Sequence, residues 1–297
     1  MKAMRARYRM PLAALTFGLA PAVAQAACEP SLVDGAIVVQ LIPSDGMDSQ
    51  QLVERFHIRI RNNGHSDCAL RLAVGRDLAA SDNRFPNYTL TGPRGVVSLV
   101  PVAAATSNPD ASVPVAIPAG AQISIPYDVR MAVGWGAEAG DYRQELQYFV
   151  LPESGREELA SQRAQLSLRI PATARIRFSG AQGGNGPARI DLGTLSPTSV
   201  TTSQPFGLRV LSTSAYQVQF ASQNGGALQR VDGPDRIPYR LLIGGRTLDL
   251  TGIDGISVAR HTSASGDLHP LSVVVDPDPE RHAGSYADRV TVTVTPI

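Results

Sequence analysis

The chain reads as an all-β protein built from two sandwich domains, and three features of its 297 residues carry that reading. Glycine (27) and proline (22) are abundant, runs with helical periodicity are scarce, and short segments alternating apolar with polar residues recur between turn signals. Alternation of period two lets one face of a strand bury while the other meets water, which is what two packed sheets require.

The first element is not part of that fold. Lys2, Arg5, Arg7 and Arg9 precede the apolar run PLAALTFGLAPAV and a small-residue site at Ala24-Gln25-Ala26, the three parts of a secretory signal peptide over residues 1–26. The run is too short to span a bilayer and no other stretch is long enough, so an exported chain that is not membrane-spanning is expected. Gln25 stands where a lipoprotein signal carries an aliphatic residue, so cleavage without lipidation is expected. Losing the four positive charges takes the formal net charge from +1 to about −3 (1 − 4), which disfavours nucleic acid as a partner. The remaining length of about 270 residues fits two domains.

The two cysteines, Cys28 and Cys68, lie in the first half. Export to an oxidising compartment favours a disulfide tying the first strand of domain 1 to a later one; two free thiols are the alternative. Two distant cysteines without a nearby histidine pattern do not make a zinc site.

A repeat then organises the rest. AGDYRQELQYFV (139–150) matches AGSYADRVTVTV (283–294), with Gly140 over Gly284 at an offset of 144 residues. The same ungapped offset sets Pro126 over Pro270, Val129 over Val273 and Met131 over Val275, while RFHIRIRNN matches PFGLRVLST with Phe56 over Phe206, 150 residues on. Internal duplication with loops of unequal length is the simplest account. Gly140 and Gly284 are placed where a turn enters a strand and positive φ suits glycine. Tyr142 and Tyr286 share the parity of the apolar positions, so their rings should point inward with the hydroxyl capping a loop.

Beyond the matched strand the two copies differ. In the first, PESGREELASQR leads to AQLSLRI, with Ala164, Leu166, Leu168 and Ile170 on one face. The second offers no such segment up to Ile297, so domain 2 is expected to lack its last strand. That leaves a groove lined by Tyr286, Val290, Val292 and Val294, with the intervening threonines facing outward. Each large aliphatic left exposed forfeits about 1.5–3 kcal/mol, and an unpaired strand edge recruits a neighbour. A strand donated by another molecule is the remedy.

On these residues the second half resembles the spore coat protein U-like pilin family of archaic chaperone-usher pili. Members end on a Gly-x-Tyr-x-Asp-x-Val-Thr-Val-Thr-Val pattern, here Gly284, Tyr286, Asp288, Val290, Thr291, Val292, Thr293 and Val294. IPYRLLIGGRTLDL resembles the family's tyrosine-containing strand, with Gly244-Gly245 as a two-residue hairpin turn. The resemblance covers residues 171–297 and reaches 27–170 through the repeat; unlike many members, 171–297 contain no cysteine. It implies two immunoglobulin-like β-sandwich domains, the C-terminal one incomplete. A periplasmic chaperone would hold it, and at the outer-membrane usher a neighbouring pilus subunit would complete it by donor-strand complementation. Cys28 lies so near the expected mature N-terminus that little chain remains to donate, which points to a tip-like subunit with an adhesin-like N-terminal domain (27–170) and a pilin domain (171–297), displayed on the cell-surface fimbrium.

No catalytic residue, metal site or cofactor is expected. The five histidines show no ligand spacing and no Gly-x-Ser-x-Gly elbow occurs. GAQGGNGP (180–187) lacks the Lys and Ser/Thr of a phosphate loop, and the prolines in DPDPE (276–280) favour a rigid acidic turn over a calcium site. Surface contact is expected on loops of the first domain, with Trp135 in GWG and Phe85 and Tyr88 in NRFPNYTL as candidates. GVVSLVPVAAA (95–105) reads as a buried strand. The competing reading is a periplasmic pilus-assembly chaperone of two immunoglobulin-like domains, with AQLSLRI as the strand it donates.

Overall fold

The computed structural model describes residues 28–43, 47–48, 50–181 and 187–297. The segment read as a signal peptide and the glycine-rich stretch at 182–186 lie outside them. The first half contains β1 (Pro30–Leu32), β2 (Ile37–Leu41), β3 (Gln50–Asn62), β4 (Cys68–Asp77), β5 (Tyr88–Gly92), β6 (Gly95–Val96) and β7 (Val100–Pro101). A single helical turn, α1 (Val102–Ala105), is followed by β8 (Ser112–Ile117), β9 (Gln122–Val133), β10 (Gly140–Pro152) and β11 (Ala160–Ile170). One sheet runs β1-β3-β9-β5-β6; the other runs β2-β11-β10-β4-β7, with β8 also on β4.

Alternation places the core as the sequence predicts. Leu146, Tyr148 and Val150 of β10 and Leu166 and Leu168 of β11 belong to one core, all 0% exposed. Tyr127 of the facing sheet packs 5.2 Å from Tyr148 and 5.8 Å from Phe56, centroid to centroid. Cys28 and Cys68 are bonded, S–S 2.01 Å, fastening the chain just before β1 to the start of β4 in the opposite sheet. The run 95–105 departs from its expected buried strand: Val96 is 74% exposed and the run ends in α1. Pro101 cannot donate to a ladder, and Gly75 lets the turn of α1 press onto β4, since a Cβ there would lie 2.7 Å from Val102 Cα.

The second half holds β12 (Ala174–Ser179), β13 (Thr201–Thr202), β14 (Phe206–Ser212), β15 (Tyr216–Ser222), β16 (Ala227–Arg230), β17 (Arg236–Pro238) and β18 (Arg240–Ile243). After these come β19 (Arg246–Thr247), β20 (Ile253–Val258), β21 (Asp267–Val275), β22 (Tyr286–Ala287) and β23 (Val290–Pro296). The larger sheet is β12-β14-β21-β18-β19 with β13 on β21; β20-β15-β23 faces it, and β17-β16-β22 forms a small third sheet. Gly244 and Gly245, at φ 56° and 86°, supply the left-handed pair that the two-residue turn between β18 and β19 demands.

The duplication is visible in strand register. Phe56 faces Tyr127 and Ile58 faces Ile125 across β3 and β9; Phe206 faces Leu271 and Leu208 faces His269 across β14 and β21. The two offsets found in the sequence are therefore the two sides of one shared strand pairing. Each repeat tyrosine also donates to the carbonyl four residues upstream, Tyr142 to Glu138 at 2.6 Å and Tyr286 to His282 at 2.9 Å. Gly140 and Gly284 share positive φ values of 156° and 158°, a backbone conformation that other residues rarely adopt, as expected where a turn enters each strand.

Residues 171–173 join the halves. Thr213, fully buried, accepts from Ala139 N–H at 2.6 Å through its carbonyl and donates its hydroxyl to Pro171 O at 2.7 Å. Gly136, at φ 100°, must be small as well as left-handed, because a Cβ there would sit 2.8 Å from Ala264 N.

Candidate strand-docking groove

β23 pairs antiparallel with β15, setting Val290, Val292 and Val294 opposite Ser222, Phe220 and Val218. Among the described residues nothing pairs with its other edge. In the first half the matching edge of β10 carries β11 over its whole length, from Gly140↔Ile170 to Val150↔Ala160. The consequence is read in burial. Leu146, Tyr148 and Val150 are sealed, whereas their counterparts Val290, Val292 and Val294 are only half-buried and the threonines between them are exposed. The strand has the right parity and lacks a cover.

A groove of about 600 Å³ runs where that cover would lie. Val290 and Val292 form one wall, Phe178, Phe206, Leu271 and Val273 of the larger sheet the other, and Phe220 and Leu241 also line it. It continues past Asp288 into a second cavity of about 780 Å³ beside Gly284 and Tyr286. Val294 lines neither cavity, and β12 also approaches β23. The sequence-predicted set Tyr286, Val290, Val292 and Val294 thus lies along one edge, with the middle pair opening onto the groove. Sequence reasoning missed Phe178, Ile190 and Leu192 as lining residues; the alternation in ARIRF and ARIDL was the available signal.

A polar anchor lies at Asp288, which borders both cavities. Tyr239 donates to Asp288 Oδ2 at 2.6 Å, and Asn224 N–H donates to Asp288 Oδ1 at 3.1 Å. Burial, and then the hydrogen bond to Asp288, push the Tyr239 hydroxyl pKa up. Tyr239 and Asp288 both belong to the family-like patterns, and the fold brings them together. Beside them Arg230 holds the Asp235 carboxyl below the usual carboxylate range, and His282 Nδ1 lies 3.2 Å from the same carboxylate.

The remaining predicted residues fall elsewhere. Phe85 and Tyr88 pack edge to face at 5.6 Å, both half-buried on the first core, and burial raises the Tyr88 hydroxyl. Trp135 sits at the junction of the halves: its Nε1 donates to Asp48 at 3.1 Å, and the Arg175 guanidinium lies 5.8 Å from its ring centroid. Tyr216 Oη lies 2.9 Å from both Asp267 Oδ2 and His269 Nε2, and burial lowers the imidazole pKa. Asp276 of the acidic turn pairs with Arg240 at 2.7 Å.

The fold and groove together define a class: a two-sandwich all-β chain, immunoglobulin-like in strand order, with one sandwich closed and the other open along an edge. No family model matches the chain and no curated protein matches it. Among solved structures it is similar to the CsuC-CsuE chaperone-tip adhesion subunit pre-assembly complex of the archaic chaperone-usher Csu pili of Acinetobacter baumannii. That match is 16% identical over 89% of this chain and 99% of that one, with a TM-score of 0.43. The adhesive subunit CfaE of CFA/I fimbria of enterotoxigenic Escherichia coli gives 12%, 88%, 92% and 0.41 for the same measures. The CupB6 tip adhesin of Pseudomonas aeruginosa gives 13%, 90%, 94% and 0.35. All three scores are below 0.5; the functional reading rests instead on the free edge of β23 and the groove beside it.

Proposed function

We propose that this chain is an exported structural and adhesive subunit of a chaperone-usher surface pilus, standing at its tip. In this reading residues 27–170 are the adhesin-like domain, with Phe85, Tyr88 and Trp135 as surface-contact candidates, and residues 171–297 are the spore coat U-like pilin domain. A donated strand completes the latter along Tyr286, Val290, Val292 and Val294. A periplasmic chaperone supplies that strand in transit, and at the outer-membrane usher a neighbouring subunit replaces it. No catalytic step belongs to this role.

The single observation that carries the reading is the contrast between β10, flanked by β4 and β11, and β23, flanked by β15 alone. The energetic drive comes from that contrast: half-buried valines and an unpaired edge gain apolar burial and a backbone ladder on docking. The test is expression of the mature chain alone and with a strand donor. Alone it should aggregate or swap strands, and with the donor it should run as a defined one-to-one species. A stable monomer that gains nothing from any donor would transfer the case to the pilus-chaperone reading.

A further inference from the structure

We infer that the outward face of the first sheet binds a linear acidic polysaccharide, laid along β3 with one acidic sugar seated in a depression where the chain crosses from β1 to β2. The inference stands on the first half alone. It does not need the strand-docking reading.

The face follows from alternation. β3 buries Phe56, Ile58 and Ile60, so Arg55, His57, Arg59 and Arg61 all point outward, successive members about 7 Å apart and the row about 20 Å long. Arg130 of β9 joins them opposite Val53. Residues 27–170 carry a formal charge of −4 (12 arginines, 16 acids), whereas four arginines less Asp34 and Asp128 give this face +2 (4 − 2). The sign reverses locally.

The two acids of the face lie beneath its cations. Arg55 donates to both Asp128 oxygens, at 2.7 and 3.1 Å, and Arg59 grips Asp34 in the same bidentate manner. The arginine side chains are 65% and 50% exposed, their carboxylates only 17% and 18%. Each pair therefore fixes a guanidinium plane and leaves Nη1 for an outside acceptor. Among the described residues Arg61 and Arg130 form no ion pair.

The depression has a topological cause. β1 pairs with β3 only from Ile60 to Asn62, after which the chain crosses to the opposite sheet and β2 pairs with β11. The crossover leaves a recess of about 520 Å³ lined by residues 34–37, His57, Arg59 and Ser124. Cations, a carboxylate and a hydroxyl together suit a ring bearing both an acidic group and hydroxyls: Arg59 and His57 take the acid, Asp34 and Ser124 the hydroxyls. Nucleic acid fits less well, because the outward residues of β3 and β9 include no Phe, Tyr or Trp on which a base could stack.

The experiment measures binding of the full chain, alone or as its complex with a strand donor, to immobilised heparin, hyaluronan, uncharged dextran and duplex DNA. Heparin should bind and weaken steeply as salt rises, dextran should not bind, and DNA should bind about tenfold or more weakly than heparin. Hyaluronan, charged by carboxylates alone, distinguishes the source: parity with heparin assigns uronates, and weaker binding assigns sulfates. Arg61→Gln combined with Arg130→Gln, which leaves no acid unpaired, should cut heparin binding about tenfold with an unchanged urea midpoint. Arg59→Gln should also weaken it. Arg143→Gln with Arg163→Gln, on the outward face of the opposite sheet, should stay within about twofold of the parent. Equal loss from both double variants, DNA binding as tight as heparin, or no binding to either acidic polysaccharide overturns the proposal. Co-purification with a strand donor is untouched by all of these variants, so the docking reading is judged separately.

Discussion

Val292 is where the two halves diverge most sharply. Its counterpart Tyr148 is fully enclosed by β11 and the facing sheet, whereas Val292 borders open space. An aspartate at Val290 or Val292 places a charge where a partner must bury apolar surface, so Val292→Asp is expected to abolish co-purification with a strand donor. Thr293→Asp, on the exposed face, should leave it within a few-fold of the parent, and equal loss at both positions would refute the groove. Tyr142 and Tyr286 supply an internal control. Tyr142→Phe removes the 2.6 Å bond to Glu138 O and should cost about 0.5–1.5 kcal/mol in urea unfolding, with a smaller loss for Tyr286→Phe in its more open setting. Asp288→Ala strips the acceptor from a mostly buried hydroxyl and should cost about 1–3 kcal/mol, largely restored by Asp288→Asn.

At the level of elements, the disulfide closes a loop across a sequence separation of 40 residues. Replacing both cysteines by alanine should lower stability by about 2–4 kcal/mol, seen as an earlier urea midpoint for the first half with the second unaffected. Much of this architecture was legible in the sequence. Period two gave the strands, and the repeat gave the equivalence of β10 with β23 and of β9 with β21, because an internal copy preserves parity and register together. Two elements were not legible, for distinct reasons. The stretch 95–105 is apolar throughout, so hydrophobicity could not reveal that Gly75 admits a helical turn against β4. The groove wall at 188–192 has strand alternation but no ladder, and composition alone cannot say whether a segment's partner is at hand.

Across the whole molecule, the halves meet through few contacts of definite chemistry: Thr213 with Pro171 and Ala139, Gly136 with Ala264, and the Asp48, Arg175 and Trp135 cluster. The flanking glycines of GWG suggested an exposed ring; the structure gives Gly136 another purpose, letting the second half come close. The hydrogen bond from Arg175, followed by that from Trp135, holds the Asp48 carboxyl below the usual carboxylate range. A depressed carboxylate contributes its stabilisation above its unfolded pKa of about 3.9 and loses it as pH falls through the lower folded value. Acidification below about pH 4 is therefore expected to loosen the junction, read as faster cleavage at 171–173 by an acid protease, and Asp48→Asn should show faster cleavage there at neutral pH by a protease active at that pH. Because Trp135 is the chain's sole tryptophan and the Arg175 guanidinium of the other half lies 5.8 Å from its ring centroid, its fluorescence emission is a built-in optical gauge of this seam. A pulled or acidified molecule can report the opening of its junction with no dye attached.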